Sequence, residues 1–99
     1  MKIRSLIIAL TATIVSAPAF AADIEAGKAK SATCVACHGP TGVSSNPLWP
    51  NLAGQHEQYL AKQIKAFRDG TRSDPLMAPM VAALTDEDIA NLAAYFAAQ

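Results

Sequence analysis

Five consecutive residues constrain this chain more than any others: Cys34-Val35-Ala36-Cys37-His38. They contain both cysteines of the sequence and one of its two histidines. On a helical turn, positions i, i+3 and i+4 share one face, so Cys34, Cys37 and His38 project together. The chain around them is short. Its 99 residues allow one domain at most, and a domain of that size buries too little of its own surface to be more than marginally stable. Small exported domains often add several disulfides. Here one bridge at most is available, and a loop closed so tightly would constrain the unfolded chain little. Something other than disulfides has to complete the core.

The pattern C-x-x-C-H is the attachment signature of c-type haem. Two thiols on one face reach two vinyl groups along one edge of a porphyrin, and the adjacent imidazole swings beneath the ring to the iron. Val35 and Ala36 are small enough for the macrocycle to lie close. Other chemistries use paired cysteines. A thioredoxin-like dithiol needs a βαβ context, and no strand pattern persists in this sequence. A structural zinc site needs four ligands, and His56 would have to join three neighbours packed too tightly for tetrahedral geometry. A plain disulfide is the remaining alternative in an oxidising compartment.

The N-terminal stretch has the layout of a secretory signal. Lys2 and Arg4 precede an uncharged apolar run from Leu6 to Val15, and Ala19-Phe20-Ala21 supplies small residues at the two positions a signal peptidase reads. The run is half as long as a membrane-spanning helix, which takes roughly 20 residues. We therefore expect residues 1–21 to be a cleaved signal peptide and residues 22–99 to be the domain, with no membrane span after cleavage. Residues 22–99 carry six basic and eight acidic side chains, a formal charge of −2. Nucleic-acid binding, which leaves a basic footprint, has no support in that balance.

The sequence reads as all-α. A first helix is predicted from about Ile24 to Cys37. A second is predicted from about Gln55 to Asp69, with Leu60, Ile64 and Phe67 at helical spacing, Tyr59 and Gln63 beside them, and Gly70 as the stop. A third is predicted from Asp86 to Ala98, opened by a Thr85/Asp88 capping box, with Ile89, Leu92, Tyr95 and Phe96 as its apolar face. Gly39 to Gly54 is a loop by its density of Gly and Pro. Thr71 to Pro79 is read as a second loop, stiffened by Pro75 and Pro79. Loops of this length in a small domain usually wrap something or carry function.

Porphyrin fills four positions of the iron and His38 a fifth. A sixth protein ligand favours electron transfer over oxygen chemistry and has to come from a distant segment on the opposite face. Met77 and Met80, in or beside the second loop, are the candidates; a thioether is a soft ligand that raises the reduction potential. As ordinary residues they would fill gaps in the core. His56 is a poorer candidate, more in keeping with a packing residue at the start of the second helix. Lys62, Lys65, Arg68 and Arg72 could steer an acidic partner, although a solvated helix face accounts for them better.

These segments resemble class I cytochrome c, specifically the short bacterial monohaem periplasmic type that is similar to the domains of periplasmic dihaem cytochromes. The resemblance covers nearly all of residues 22–99. It is carried by Ala26-Gly27-Lys28, Cys34 to Gly39, Pro50-Asn51-Leu52-Ala53-Gly54-Gln55, Gln58-Tyr59-Leu60, Met77, Leu84-Thr85-Asp86-Glu87-Asp88-Ile89 and Leu92-Ala93-Ala94-Tyr95-Phe96. It implies a small cytochrome c fold, three main helices and long loops wrapped around one covalently attached haem c. It implies Cys34 and Cys37 as the attachment points and His38 and Met77 as axial ligands. Met77 is preferred to Met80 because the family's methionine stands seven residues before the leucine that opens the last helix, here Leu84. By the same resemblance the carbonyl of Pro50 accepts a bond from the axial histidine, and Gly27 lets the last helix cross closely against Tyr95, with Leu92 beside it. Leu52, Tyr59, Leu60, Ile64, Phe67 and Leu84 are the expected haem wall, and Trp49 either touches a propionate or covers the loop. The implied function is one-electron transfer between transient redox partners in the periplasm, by a monomer that is an electron carrier and not an enzyme; a haem subunit of a larger oxidoreductase is the alternative.

Overall fold

The computed structural model describes residues 1–13 and 21–99. Most of the predicted cleavage motif, Ala19 and Phe20, and the end of the apolar run, Ile14 and Val15, lie outside the described residues. Among the described residues every regular element is helical, as the periodicity predicts, and no helix is long and apolar enough to cross a membrane.

Helix α1 spans Ile24–Lys30. The Asp23 carboxylate accepts the N–H of Ala26 at 3.1 Å and so satisfies one of the donors left free at a helix start. Glu25 in its first turn and Lys28 and Lys30 in its last complement the helix dipole. The single helix expected from Ile24 to Cys37 is broken. A 3-10 turn over Ser31–Thr33 separates α1 from α2, Val35–His38. Ser31 is the cause. Its buried hydroxyl donates back to the Lys28 carbonyl at 2.6 Å, its N–H is shared by the Gly27 and Lys28 carbonyls, and its own carbonyl takes the Cys34 N–H at 2.8 Å. A hydroxyl bonded into the preceding turn competes with the regular ladder, and the chain tightens there.

Helix α3 spans Glu57–Asp69 and ends at Gly70, whose φ of 84° is the left-handed cap that glycine adopts most readily. The predicted loop from Thr71 to Pro79 is only partly irregular, because a short helix, α4, occupies Met77–Val81. Pro79 suggests a loop in the sequence, yet it is the third residue of α4, near the helix start where proline is tolerated. Helix α5, Asp86–Ala97, begins at the predicted capping box: Thr85 Oγ1 accepts the Asp88 N–H and Asp88 Oδ2 accepts the Thr85 N–H, each at 3.0 Å.

The core forms around α5, which packs against both α1 and α3. Ile89, Leu92, Ala93 and Phe96 are fully or almost fully buried, and Leu60 of α3 joins Leu92, Ala93, Tyr95 and Phe96 in one apolar cluster. Helix α1 crosses α5 at Gly27. A Cβ there would overlap the Asn91 carbonyl and stand 2.9 Å from Tyr95 Cβ, so the crossing distance depends on that residue having no side chain. Asn91 adds a polar tie: buried in α5, it accepts the Asp23 N–H on Oδ1 at 2.8 Å. Residues 39–54 contain no helix or strand and dock on the end of α5. Gly54 N–H donates to the Phe96 carbonyl at 3.0 Å and Tyr95 O–H to the Pro40 carbonyl at 3.3 Å.

Candidate functional site

The 3-10 turn hands the chain to α2 so that the attachment motif forms one tight turn. The N–H groups of Cys37 and His38 both return to the Cys34 carbonyl, at 3.3 and 2.9 Å. Cys34 is half-buried and Cys37 exposed, and the two sulfurs are not joined to one another, which leaves both available for a ring edge. Burial pushes the Cys34 thiol above its ordinary pKa; the Thr33 hydroxyl, 3.9 Å from Sγ, opposes this and Cys37 reinforces it. The same side chain packs against the apolar cluster around α5.

His38 is buried, 7% exposed. Its Nδ1 lies 2.8 Å from the carbonyl oxygen of Pro50, twelve residues on in the irregular loop. A carbonyl oxygen only accepts, so Nδ1 is the donor, and in the neutral ring the lone pair is on Nε2. This is the tautomer a metal-binding imidazole needs. A partner on the far nitrogen also fixes the ring and makes it a stronger donor. Pro50 belongs to a loop held by several bonds: the Gly42 carbonyl takes the Leu52 and Ala53 N–H groups at 2.7 and 3.0 Å, and Asn51 Oδ1 takes the Ser44 N–H at 2.7 Å.

Around this turn stands an incomplete apolar wall. Cys34, Leu52, Ile64 and Leu84 are half-buried, each packed against the cluster that holds Leu60, Leu92 and Phe96. Phe67 is half-buried under the Arg72 guanidinium, 4.5 Å from its ring centre. Tyr59 is half-exposed, and Trp49 is partly covered by the loop. Met77 is half-buried in the first turn of α4, whereas Met80 is 51% exposed.

Two unpaired thiols and an imidazole held through Nδ1 on one turn, with half-buried apolar side chains packed on the same cluster as Cys34, fit a flat covalent macrocycle. A bare metal ion fits poorly. His56 is exposed at the start of α3, and among the described residues no three His, Cys, Asp or Glu side chains converge as ligands of a lone ion would.

The basic residues after Tyr59 divide in the structure. Arg68 donates to the Leu84 carbonyl at 3.1 Å and pairs with Asp86 at 2.8 Å and Asp69 at 2.9 Å, which joins the end of α3 to the start of α5. Arg72 covers Phe67 and donates to Gln63 at 2.8 Å. Only Lys62 and Lys65 remain as simple exposed charges, in line with a solvated face. Three contributors escape a reading of the sequence. Arg68 and Asn91 act through partners far along the chain, which leave no local trace. Asp74 does leave one, the order Asp-Pro that often opens a helix.

Comparison with known proteins places this geometry in a family. The cytochrome c family model matches residues 24–98. Cytochrome c-554(548) of Halomonas halodenitrificans is 51% identical over 82 residues, covering 80% of this chain and 99% of that protein. A thiosulfate dehydrogenase electron acceptor of Stutzerimonas stutzeri is 48% identical over 67 residues, 65% of this chain and 31% of that protein. The crystal structure of reduced recombinant cytochrome c4 from Pseudomonas stutzeri superposes with a TM-score of 0.76 at 42% identity, over 80% of this chain and 46% of that one. This chain thus spans the full length of one relative and less than half of the others. Its helical fold, its haem-attachment turn and these likenesses converge on one conclusion: the chain belongs to the cytochrome c family of covalently haem-bearing electron carriers.

Proposed function

We propose that residues 22–99, released by cleavage after Ala21, form a periplasmic one-haem electron carrier in which Cys34 and Cys37 hold the haem and His38 and Met77 are the axial ligands. The observation that carries this reading is the 2.8 Å contact between His38 Nδ1 and the Pro50 carbonyl. It directs the Nε2 lone pair away from the bonded edge of the ring, as an axial ligand requires. The half-buried Met77 on a separate element supports it as the sixth ligand in preference to the exposed Met80.

When bound, haem supplies a one-electron couple at iron. The protein's part is to hold that iron with unchanging ligands, so that little has to rearrange when an electron arrives or leaves. Pro50 fixes the imidazole, and Leu52, Ile64 and Leu84 exclude water from the ring. The partners are redox proteins that meet the monomer through small, transient interfaces. The name of the Stutzerimonas relative, an electron acceptor of thiosulfate dehydrogenase, supports an oxidising enzyme as one class of donor.

Mass spectrometry and absorption spectroscopy of protein from a host competent for cytochrome maturation test the reading together. The expected result is a chain beginning at Ala22, heavier by one haem, with a Soret band and a ferric thioether-to-iron charge-transfer band. A colourless protein with alkylatable thiols would refute it.

A further inference from the structure

Asp74 makes a compact set of bonds at the start of α4. Its Oδ1 accepts the N–H of Leu76 at 2.8 Å and that of Met77 at 3.0 Å, and its own carbonyl takes the Ala78 N–H at 3.0 Å. Pro75 stands between, with no N–H to satisfy and a φ already suited to a turn. Asp74 therefore caps the turn that leads into α4, and one of the two N–H groups it captures belongs to Met77.

The position of that cap matters because the next methionine is close. Met77 and Met80 are three residues apart, a spacing that places two side chains on nearly one face of a helical turn. A turn that began one residue earlier or later, or frayed at its start, would change which thioether is presented. Met77 is half-buried and Met80 half-exposed with the cap in place.

We infer that Asp74 is the positioning residue for the sixth ligand: its carboxylate sets the start of α4 and so presents Met77 rather than Met80 to the iron. This rests on the assignment of Met77 as that ligand. Asp74 acts through backbone N–H groups, so an acceptor oxygen at position 74 is what the role requires, and a full negative charge is not.

The test uses the haem-loaded protein, with the ferric thioether-to-iron band and the rate of imidazole binding as readouts. Asp74→Ala is expected to weaken the band and to speed imidazole binding about fivefold, the ratio corresponding to about 1 kcal/mol of lost capping. Asp74→Asn, which keeps the acceptor, is expected to match the native protein. Met80→Leu should leave the native band intact and remove part of the band that remains in Asp74→Ala. Thr85→Ala is the comparator, since it removes a cap of similar strength from α5 without touching α4, and imidazole binding should stay at the native rate.

Four results would overturn the inference: native behaviour in Asp74→Ala, equal impairment in Asp74→Asn, no effect of Met80→Leu on Asp74→Ala, or iron opened as far by Thr85→Ala. Met77→Leu separates the two levels. Loss of the band there, with Asp74→Ala unaffected, overturns the role of Asp74 alone. A band that survives Met77→Leu overturns the ligand assignment and the inference with it.

Discussion

Gly27 shows how much one absent side chain can decide. Inside an exposed helix, replacing Gly by Ala normally stabilises by roughly 1 kcal/mol. In this chain the added methyl would meet the Asn91 carbonyl, a backbone atom that cannot rotate away, and then Tyr95 Cβ. Forced overpacking costs about 1–3 kcal/mol, so the sign reverses. Gly27→Ala is expected to lower the stability of the haem-loaded protein by about 2 kcal/mol, read from the urea midpoint. A midpoint equal to or above the native one would show that α1 and α5 can move apart freely. The same logic applies to Pro50, where the useful group is the carbonyl and any residue that kept the local backbone would keep the bond to His38.

At the scale of elements, helix ends and their carboxylates govern the response to acid. The Asp88 carboxyl is held below the usual carboxylate range, first by the Thr85 N–H and further by the Thr85 hydroxyl and Lys30. Asp69 and Asp86 are held down by the Arg68 guanidinium, which joins α3 to α5. A carboxyl whose folded pKa is depressed adds stability that is complete above its unfolded value, about 3.9 for Asp. That stability is lost as pH falls through the folded value. The domain should therefore hold a steady denaturation midpoint near neutrality and lose stability below about pH 4. Asp88→Asn is expected to lower the midpoint near neutrality and to flatten its fall in acid, as measured by urea titrations at a series of pH values. An acid limb as steep as the native one would mean that the capping box does not titrate with folding.

For the whole molecule, the polypeptide supplies only part of its own core. Among the described residues the largest fully buried side chains are Phe96, Ile89 and Leu92, all on α5, and the wall of Leu52, Ile64 and Leu84 is only half-buried against the core cluster. A flat apolar cofactor completes that wall. Without it, a chain this small falls near the limit of independent folding. We expect a Cys34→Ala, Cys37→Ala variant without haem to melt without a cooperative transition, followed by far-ultraviolet circular dichroism. A sharp, cooperative melt would show that the helices carry their own stability.

The features legible in the sequence are those whose partners lie within about one helical turn: the Cys34–His38 spacing, the Thr85/Asp88 box, the Gly70 stop and the breaker-rich run from Gly39 to Gly54. Each is set by local hydrogen bonding and periodicity, and so by residue order alone. The break at Ser31 and the first turn of α4 were local too, yet neighbouring signals outweighed them: an Ala- and Lys-rich run suggested continuity, and Pro79 suggested a loop. Other features depended on contacts between distant parts of the chain. Asn91 holds the N–H of Asp23, 68 residues away, and Arg68 reaches Leu84 and Asp86 across α3 and α5. The haem-attachment motif, the Thr85/Asp88 box and the Gly70 stop thus came from the sequence by itself, whereas the lock on the imidazole, the α1–α5 crossing and the apolar wall, which residue order suggests only through family resemblance, were decided by tertiary structure, because packing brings together groups whose separation along the chain carries no information about their meeting.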